Sequence, residues 1–255
     1  MRFSQIKQML TALILLLIQV STVAAVEITT ETIQYSADGA TGFLAKPVEG
    51  ENLPAMILIH EWWGLNDNVR ENARRFAAQG YVALAVDMYG GKVAQSRDQA
   101  KALAGAVRKD KKKAFANLNA ALDYLRGQGG IVDPSRLASV GWCFGGGWSY
   151  QVAKNNLGVK SSVIYYGFFN PEDDLSIMRT TILGHFGEND RSIKVDNARE
   201  FQAKLNTLGG DHEVYIYPNA GHAFANDGGK NYDQAAADLA WKRTLGFLDS
   251  TLGRE

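Results

Sequence analysis

Apolar and polar positions along the chain follow two different periods. Short apolar, β-branched runs alternate with runs of helical period, which is typical of a mostly parallel sheet covered by helices on both faces. Eight runs are predicted to be strands, at residues 27–35, 41–45, 55–60, 82–87, 137–142, 162–166, 181–186 and 212–217. This number of strands fits one twisted sheet.

The helical runs lie between the strands and at the end of the chain. Apolar residues recur at helical spacing within residues 69–77, 115–125 and 201–205, and residues 239–248 predict a last helix that docks on the sheet. No internal repeat or linker follows residue 26, so residues 26–255 are predicted to form a single α/β domain. The intervals before Thr181 and between Phe186 and Ile193 are short, so we expect no large lid domain there.

The first 25 residues differ in composition from the rest. Arg2 and Lys7 precede an apolar stretch at residues 9–20, and small residues follow up to Ala25. This pattern predicts a secretory signal peptide at residues 1–25 and export to the periplasm or the medium. The alternative is a membrane anchor, but the apolar stretch is shorter than the ~20 residues that a spanning helix needs.

The net charge of the chain indicates which kinds of partner it binds. The chain has 27 basic and 27 acidic residues and no net charge, so nothing indicates binding to nucleic acid or to a membrane after removal of the signal peptide. A basic run at residues 108–113 is interpreted as the solvated face of a long helix. We therefore expect a monomer that acts on a small molecule and needs no cofactor or metal.

The only cysteine, Cys143, lies between a predicted strand and a helical run, in the sequence GWCFGGG at residues 141–147. Glycines two residues before and after it allow a sharp turn from strand to helix, because a β-carbon at either place would collide with the neighbouring element. Such a turn exposes the middle side chain beside free N–H groups of a helix N-terminus. Cys143 is therefore a candidate nucleophile, although a lone cysteine is often a small buried apolar residue.

A base and an acid follow Cys143 in the chain. Asp190 comes just after the strand predicted at 181–186, and His222 comes after the strand predicted at 212–217. Loops at the carboxyl ends of parallel strands converge on one crevice, and the order nucleophile, acid, histidine is the order of α/β-hydrolases. His222 would share the thiol proton and Asp190 would orient His222. Taken singly, they could instead be a turn histidine and a helix-capping aspartate.

With these residues in place, the chain resembles the dienelactone hydrolase family of α/β-hydrolases over residues 41–247. The resemblance rests on specific motifs and covers nearly the whole chain. The motifs are IHEWWGLN at residues 59–66, DMYG at 87–90, GWCFGG at 141–146, Gly187 with Asp190, and GHAF at 221–224.

The resemblance implies a catalytic triad of Cys143, Asp190 and His222. It also implies that Glu61 interacts with the cysteine and takes part in its conversion to thiolate when substrate binds. The oxyanion hole would be formed by the backbone N–H groups of Phe144 and Trp62. Alternatively, Glu61 could be a surface carboxylate or a charge at a helix start.

The chain departs from the family pattern where the substrate carboxylate is held. Family members that hydrolyse dienelactone use two arginines, and the corresponding residues here are Gly91 and Asn226. A lysine or a displaced arginine is not equivalent to a bidentate arginine clamp. We expect substrate contacts from Trp63, Tyr89, Lys92, Arg191 and Asn226, and leave open whether Trp62, Trp63 and Trp142 line the pocket or the core.

The sequence thus predicts an exported hydrolase that cleaves a small ester or lactone through a cysteine thioester. A thioesterase or carboxylesterase for other acyl groups is one alternative. A non-catalytic binding module on the same fold is another. In an oxidising compartment Cys143 has no partner cysteine for a disulfide, so it would remain a free thiol or become oxidised.

Overall fold

We describe the protein from a computed structural model over residues 25–253. The predicted signal peptide lies outside the described residues, apart from Ala25. Within residues 25–253, no helix combines the length and the apolar character needed to span a membrane.

One eight-stranded sheet forms the centre of the molecule, with the strand order β1-β2-β4-β3-β5-β6-β7-β8. The pairs β1–β2 and β2–β4 are antiparallel and all others are parallel. The strands are β1 Ile28–Gln34, β2 Thr41–Pro47, β3 Leu53–Ile59, β4 Val82–Val86, β5 Val132–Trp142, β6 Ser161–Tyr165, β7 Thr181–Gly187 and β8 Glu213–Tyr217. All eight predicted strands are confirmed.

The largest error in a strand boundary is at the start of β5. Val132 already pairs with Leu53, and the register then shifts before Ala55 pairs with Leu137. Between these two pairings, the Asp133 carboxylate accepts hydrogen bonds from the Ser135 backbone N–H and hydroxyl. This polar turn interrupts the apolar run, so the sequence pattern reveals only the part of β5 from residue 137 onward.

Six helices cover the sheet within the described residues. They are α1 Asp67–Ala77, α2 Arg97–Lys109, α3 Lys111–Arg126, α4 Phe144–Lys154, α5 Val195–Leu208 and α6 Gln234–Leu252. The four helices predicted from apolar spacing correspond to α1, α3, α5 and α6. The pattern did not mark α2, because this helix buries only the small side chains of Ala100 and Ala104.

The basic run at residues 108–113 is exposed, as predicted, but it does not belong to one long helix. α2 ends at Lys109 and α3 begins at Lys111. Asp110 separates them: its backbone N–H still donates to Ala106, while its carboxylate caps α3 by accepting the Lys113 N–H at 3.0 Å. The side chain of Asp110 thus starts a new helix where the charge pattern suggested continuity.

The two faces of the sheet have separate apolar cores, since successive residues of a strand point to opposite faces. In β3, Met56 and Leu58 pack with α1 and α6 on one face. Ile57 and Ile59 pack with α2, α3 and α4 on the other face, and a further cluster joins α4 and α5 to β6 and β7. The predicted fold class, one α/β domain with helices on both faces, is confirmed.

The last helix docks on the sheet through a buried polar contact as well as apolar packing. Thr244 Oγ1 of α6 lies 2.7 Å from the Tyr165 hydroxyl and 3.0 Å from His185 Nε2. His185 Nδ1 in turn lies 2.8 Å from the Tyr217 hydroxyl. Burial, with a smaller effect from the charge of Arg243, lowers the His185 pKa to about 3, so this ring is neutral and structural.

The carboxyl ends of the six parallel strands lie along one edge of the sheet. The loops that follow β3, β4, β5, β6, β7 and β8 begin at this edge. Residues 166–180 and 188–194 at this edge contain no helix, so no lid domain is inserted in either segment. The loops that carry Cys143, Asp190 and His222 therefore lie at the edge where parallel sheets usually bind ligands.

Candidate active site

Cys143 occupies a strained turn between β5 and α4. Its backbone has φ 53° and ψ −111°, a conformation that non-glycine residues adopt rarely and that is often found at functional positions. A β-carbon at Gly141 would collide with the Gly145 backbone, and one at Gly145 would collide with the Ile59 carbonyl. The Cys143 N–H is anchored on the Tyr165 carbonyl at 2.9 Å. The glycine requirement that the sequence predicted is therefore met at both positions.

The structure brings Cys143, His222 and Asp190 into one hydrogen-bonded chain. His222 Nε2 lies 3.1 Å from Cys143 Sγ, and His222 Nδ1 lies 2.8 Å from Asp190 Oδ2. Asp190 Oδ1 accepts the backbone N–H groups of Ser192 and Ile193 at 2.7 and 3.0 Å. One oxygen of Asp190 caps the turn before α5, and the other orients His222. The side chain therefore does both things that the sequence offered as alternatives, capping a helix and orienting the histidine.

Backbone contacts between two loops hold this geometry. The Glu188 N–H donates to the Tyr217 carbonyl at 3.0 Å, and the Asn189 N–H donates to the Ala220 carbonyl at 2.9 Å. These bonds fix the loop of Asp190 against the loop of His222. The Asn231 side chain also donates to the His222 carbonyl at 2.9 Å. The loop that carries His222 is therefore held by the loop of Asp190 and by the side chain of Asn231.

The environment of His222 favours the charged imidazolium. Burial, the strongest single influence, acts to lower its pKa, but the hydrogen bonds and charges of Asp190 and Cys143 together outweigh it and raise the pKa to about 10. A carboxylate at Nδ1 and a thiolate at Nε2 each stabilise a proton on the ring. In general, an imidazolium beside a cysteine favours the thiolate, which is the reactive form of that side chain.

Glu61 lies beside the triad and is buried, with 5% of its surface exposed. Its Oε1 accepts the Tyr166 hydroxyl at 3.2 Å and its Oε2 accepts the Asn226 amide at 2.8 Å. Burial raises the Glu61 pKa, and the hydrogen bonds from Asn226 and Tyr166 and the charge of His222 oppose this shift. Glu61 is therefore not a surface carboxylate, and α1 begins with Asn66 as its cap. Within residues 25–253, no hydrogen bond joins Glu61 to Cys143.

Tyr166 is a site residue that the sequence reasoning missed. It follows β6 with φ 40°, another strained backbone conformation, and its ring packs edge-on against His222 with centroids 5.3 Å apart. Burial, together with the nearby Glu61 and Cys143, raises the Tyr166 pKa well above its ordinary value, so the hydroxyl keeps its proton and donates. Its position at a carboxyl strand end was the one feature that could have indicated it.

His60 is a second residue that sequence reasoning did not single out. Its Nδ1 lies 2.6 Å from the Glu61 carbonyl, and its Nε2 lies 3.3 Å from the Met88 N–H. Burial lowers the His60 pKa, so the ring is neutral, with Nδ1–H donating and Nε2 accepting. The ring also stacks on Phe144, with centroids 5.7 Å apart. His60 thus joins the loop of Glu61 and Trp62 to the start of α4.

The two candidate oxyanion donors are available. Phe144 is the first residue of α4, so its N–H has no acceptor inside the helix. Trp62 lies in the loop after β3, and within residues 25–253 neither N–H group has a hydrogen-bond acceptor. Within the same residues, no group of three or more His, Cys, Asp or Glu side chains is arranged to hold a metal ion.

The main cavity at the thiol has a volume of about 690 Å³. Trp62, Trp63 and Asn226 line it together with Cys143, His222 and Glu61. Two cations that the sequence reasoning did not select, Arg97 and Lys230, also line it. Trp142, in contrast, is buried and stacks on Tyr165 with centroids 5.5 Å apart. Two of the three tryptophans therefore face the cavity and the third belongs to the core.

Three predicted substrate contacts lie elsewhere. Tyr89 is buried, packs on His60 and donates its hydroxyl to the Trp62 carbonyl at 3.2 Å. Lys92 lines a separate cavity of about 100 Å³ with Asp87. Arg191 is exposed and does not line the main cavity. These predictions relied on closeness in sequence to the motifs, which does not determine where a loop side chain points.

Comparison with known proteins agrees with this geometry. A family model described as the dienelactone hydrolase family matches residues 40–252. The "Putative carboxymethylenebutenolidase" of Escherichia coli K12 is 28% identical over 253 residues, covering 88% of this chain and 93% of the relative. A protein of the same printed name from Saccharolobus solfataricus is 30% identical over 257 residues, covering 85% of this chain and 96% of the relative.

Solved structures give the same result for the fold. The crystal structure titled "Putative Dienelactone Hydrolase" from Klebsiella pneumoniae superposes with a TM-score of 0.74 at 25% identity, covering 90% of this chain and 100% of that chain. The family match covers most of the chain, including every strand of the sheet from β2 onward. This chain therefore belongs to the dienelactone hydrolase family of α/β-hydrolases and is an ester-bond hydrolase.

Proposed function

We propose that this enzyme cleaves a small ester or lactone through a thioester formed on Cys143. The observation that carries the proposal is the continuous chain from Asp190 through His222 to Cys143 Sγ, with contacts of 2.8 and 3.1 Å at the mouth of the main cavity. A thiol paired with an oriented imidazole is an activated nucleophile. This arrangement can carry both halves of an acyl transfer.

In the first half, the Cys143 thiolate attacks the ester carbonyl carbon and the carbonyl electron pair moves to oxygen. The N–H groups of Phe144 and Trp62 stabilise that oxyanion. The bond to the alcohol oxygen then breaks, and the imidazolium of His222 gives its Nε2 proton to the departing alkoxide. The products of this step are a thioester and the free alcohol.

In the second half, neutral His222 takes a proton from water as the water oxygen attacks the thioester carbon. The tetrahedral species collapses, the acid leaves, and Cys143 returns as thiolate beside a protonated His222. Asp190 stabilises the imidazolium in the resting enzyme. Glu61 is the second carboxylate at the site, beside Asp190. We propose that it takes part in thiolate formation when substrate binds.

We further propose that the natural substrate is not dienelactone itself. Gly91 has no side chain to bind a carboxylate, and the amide of Asn226 already donates to Glu61. The two arginines of the family's dienelactone enzymes are therefore absent from the two corresponding positions. A second candidate is a carboxylesterase or thioesterase for larger acyl groups, in which the acyl portion would occupy the main cavity of about 690 Å³.

The chemistry can be tested with p-nitrophenyl acetate and the variants Cys143→Ala and His222→Ala. We expect each variant to lose at least about 1,000-fold in kcat/KM, because the two residues act as a unit. Mass spectrometry of the quenched wild-type enzyme should detect one acetyl group on Cys143. Ester turnover that survives in Cys143→Ala, or iodoacetamide labelling of Cys143 with the pH dependence of an ordinary thiol even when ligand is bound, would contradict the thioester route.

The range of acyl groups separates the two candidates. A series of p-nitrophenyl esters of increasing acyl length should be compared with simple lactones at equal concentration. Preference for short esters and lactones supports the first candidate, whereas kcat/KM that rises with chain length supports the second.

Export is a separate proposal, supported by the amino-terminal composition. We propose that residues 1–25 are removed and that the mature enzyme acts in the periplasm or the medium. Amino-terminal sequencing of the protein from fractionated cells should begin at Val26. A full-length protein in the cytoplasmic fraction would contradict export without affecting the proposed chemistry.

A further inference from the structure

Cys143 borders a second cavity on the side away from His222. This cavity has a volume of about 220 Å³, and its lining includes Cys143, Phe144, Trp148, Phe168, Arg108 and Lys111. We call it the acyl cleft. It is smaller than the ~300–1,000 Å³ of sites that enclose a whole drug-sized ligand, so it suits one part of a substrate.

The position of His222 determines which part of the substrate the cleft receives. His222 lines the main cavity and does not line the second one. The general acid must reach the oxygen of the leaving alcohol, so the alcohol portion departs through the main cavity. The acyl portion, on the other side of the carbonyl carbon, then extends into the second cavity.

The walls of the acyl cleft are aromatic. Phe144 and Trp148 are buried, and Phe115 packs edge-on behind Trp148 with centroids 5.6 Å apart. Phe168 is 67% exposed, a high value for a phenylalanine beside a reactive thiol. Its backbone lies against α4, since a β-carbon on Gly147 would be 3.2 Å from the Phe168 carbonyl oxygen. Two buried rings and one exposed ring therefore line the cleft, which suits an apolar or aromatic group.

The rim of the cleft is positively charged. The Arg108 guanidinium lies 5.5 Å from the centre of the Phe144 ring. Neither Arg108 nor Lys111 takes part in an ion pair within residues 25–253, and no acidic residue lines the cleft. An anionic group at the far end of the acyl portion would meet both cations.

We propose that the acyl cleft selects substrates whose acyl group is aromatic or short and apolar and ends in an anionic group such as a carboxylate. This inference rests on the proposed function, because it assigns the two sides of the thiol to the two halves of an ester. It assigns specificity to Arg108, Lys111 and Phe168, which line the acyl cleft, whereas Gly91 and Asn226 do not.

The test uses p-nitrophenyl esters that differ only in the acyl group: acetate, benzoate and para-carboxybenzoate, each corrected for its rate of hydrolysis by hydroxide. Wild-type kcat/KM should be about 10-fold higher for para-carboxybenzoate than for benzoate, since a partly exposed charge pair has about this effect. The variant Arg108→Glu/Lys111→Glu should reverse the preference. Phe168→Ala should raise KM for benzoate more than for acetate.

A matched control is Lys109→Glu/Lys112→Glu, which makes the same change in net charge at exposed positions that do not line the cleft. It should keep the wild-type ratio of para-carboxybenzoate to benzoate. Equal ratios in both double variants would overturn the inference. So would a wild-type ratio near one. If the variant at 108 and 111 does not fold, the Phe168→Ala comparison and the wild-type ratio still decide.

Acetate separates this inference from the proposed function. If the wild type hydrolyses acetate through Cys143 but shows no preference among acyl groups, only the acyl cleft is wrong. If it does not hydrolyse acetate or any other ester of the series, the proposed function fails and the cleft has no acyl group to bind.

Discussion

Two carboxylates meet at the candidate active site, and they are held in different ways. Asp190 receives two backbone N–H groups and the Nδ1–H of His222. Glu61 receives only side-chain donors, from Tyr166 and Asn226, in a buried setting that raises its pKa. Backbone donors are fixed by the fold, whereas a hydroxyl and an amide can rotate. The difference indicates that the fold fixes the position of Asp190, whereas the donors to Glu61 can rearrange.

The contrast between Asp190 and Glu61 is tested most strongly by the matched substitutions Asp190→Asn and Glu61→Gln. Each keeps the shape of the side chain and removes its charge. Asp190→Asn should lower kcat/KM by about 1,000-fold or more, because an amide cannot hold the required tautomer of His222 or stabilise the imidazolium. Steady-state kinetics with p-nitrophenyl acetate provide the measurement. A loss of less than about 10-fold would mean that His222 is oriented by its loop alone.

Glu61→Gln should have a smaller effect, about 10-fold in kcat/KM, because the triad contacts remain. The Tyr166 hydroxyl can still donate to the new amide oxygen, but the Asn226 amide would then face another donor. Iodoacetamide labelling of Cys143 with and without a non-hydrolysable ester analogue adds a second readout. If labelling and turnover match the wild type, Glu61 has no role in thiolate formation, while the role of the triad stands.

The sequence predicts well that Cys143, Asp190 and His222 lie together, because the position of each follows directly from the strand order of the fold. Cys143, Asp190 and His222 each follow a parallel strand, and parallel strands end at one edge. The partners of Glu61 could not be predicted in this way. Asn226 is 165 residues from Glu61 in the chain, and their contact depends on how two loops fold over the edge. The misplaced contacts of Lys92 and Arg191 have the same origin, since loop conformation is not a periodic property of sequence.

Tyr166→Phe should change kcat/KM by only about 3-fold, because it removes one hydrogen bond to Glu61 and keeps the ring against His222. The informative readout is a double-mutant cycle with Glu61→Gln. If Tyr166 acts through Glu61, the double variant should be no worse than Glu61→Gln alone. Additive losses would show that Tyr166 affects His222 or substrate directly and would weaken the contrast between the two carboxylates.

The smallest expected effect is on the pH dependence of the free energy of unfolding. Glu61 and the Asp190–His222 pair should affect it in different pH ranges. Burial raises the Glu61 pKa above its ordinary 4.5, so the folded state holds that proton more tightly and the resulting stabilisation is lost as pH rises from 4.5 through the folded-state value. For His222, burial opposes the shift, but Asp190 and Cys143 raise the pKa from 6.5 to about 10. Its stabilisation is therefore complete below 6.5 and is lost as pH rises through about 10.

Thermal unfolding midpoints measured across pH should decrease in two ranges: an acidic window, in which pH rises above 4.5 and Glu61 loses its proton, and an alkaline window, between 6.5 and about 10, in which His222 loses its proton. Glu61→Gln should flatten the acidic window and leave the alkaline one, and Asp190→Asn should do the opposite, each by about 2–4 °C for an effect near 1 kcal/mol in a domain of this size. The control is Glu172→Gln, an exposed carboxyl whose removal should alter neither window. If Glu61→Gln flattened the alkaline window instead, Glu61 and His222 would titrate as one unit.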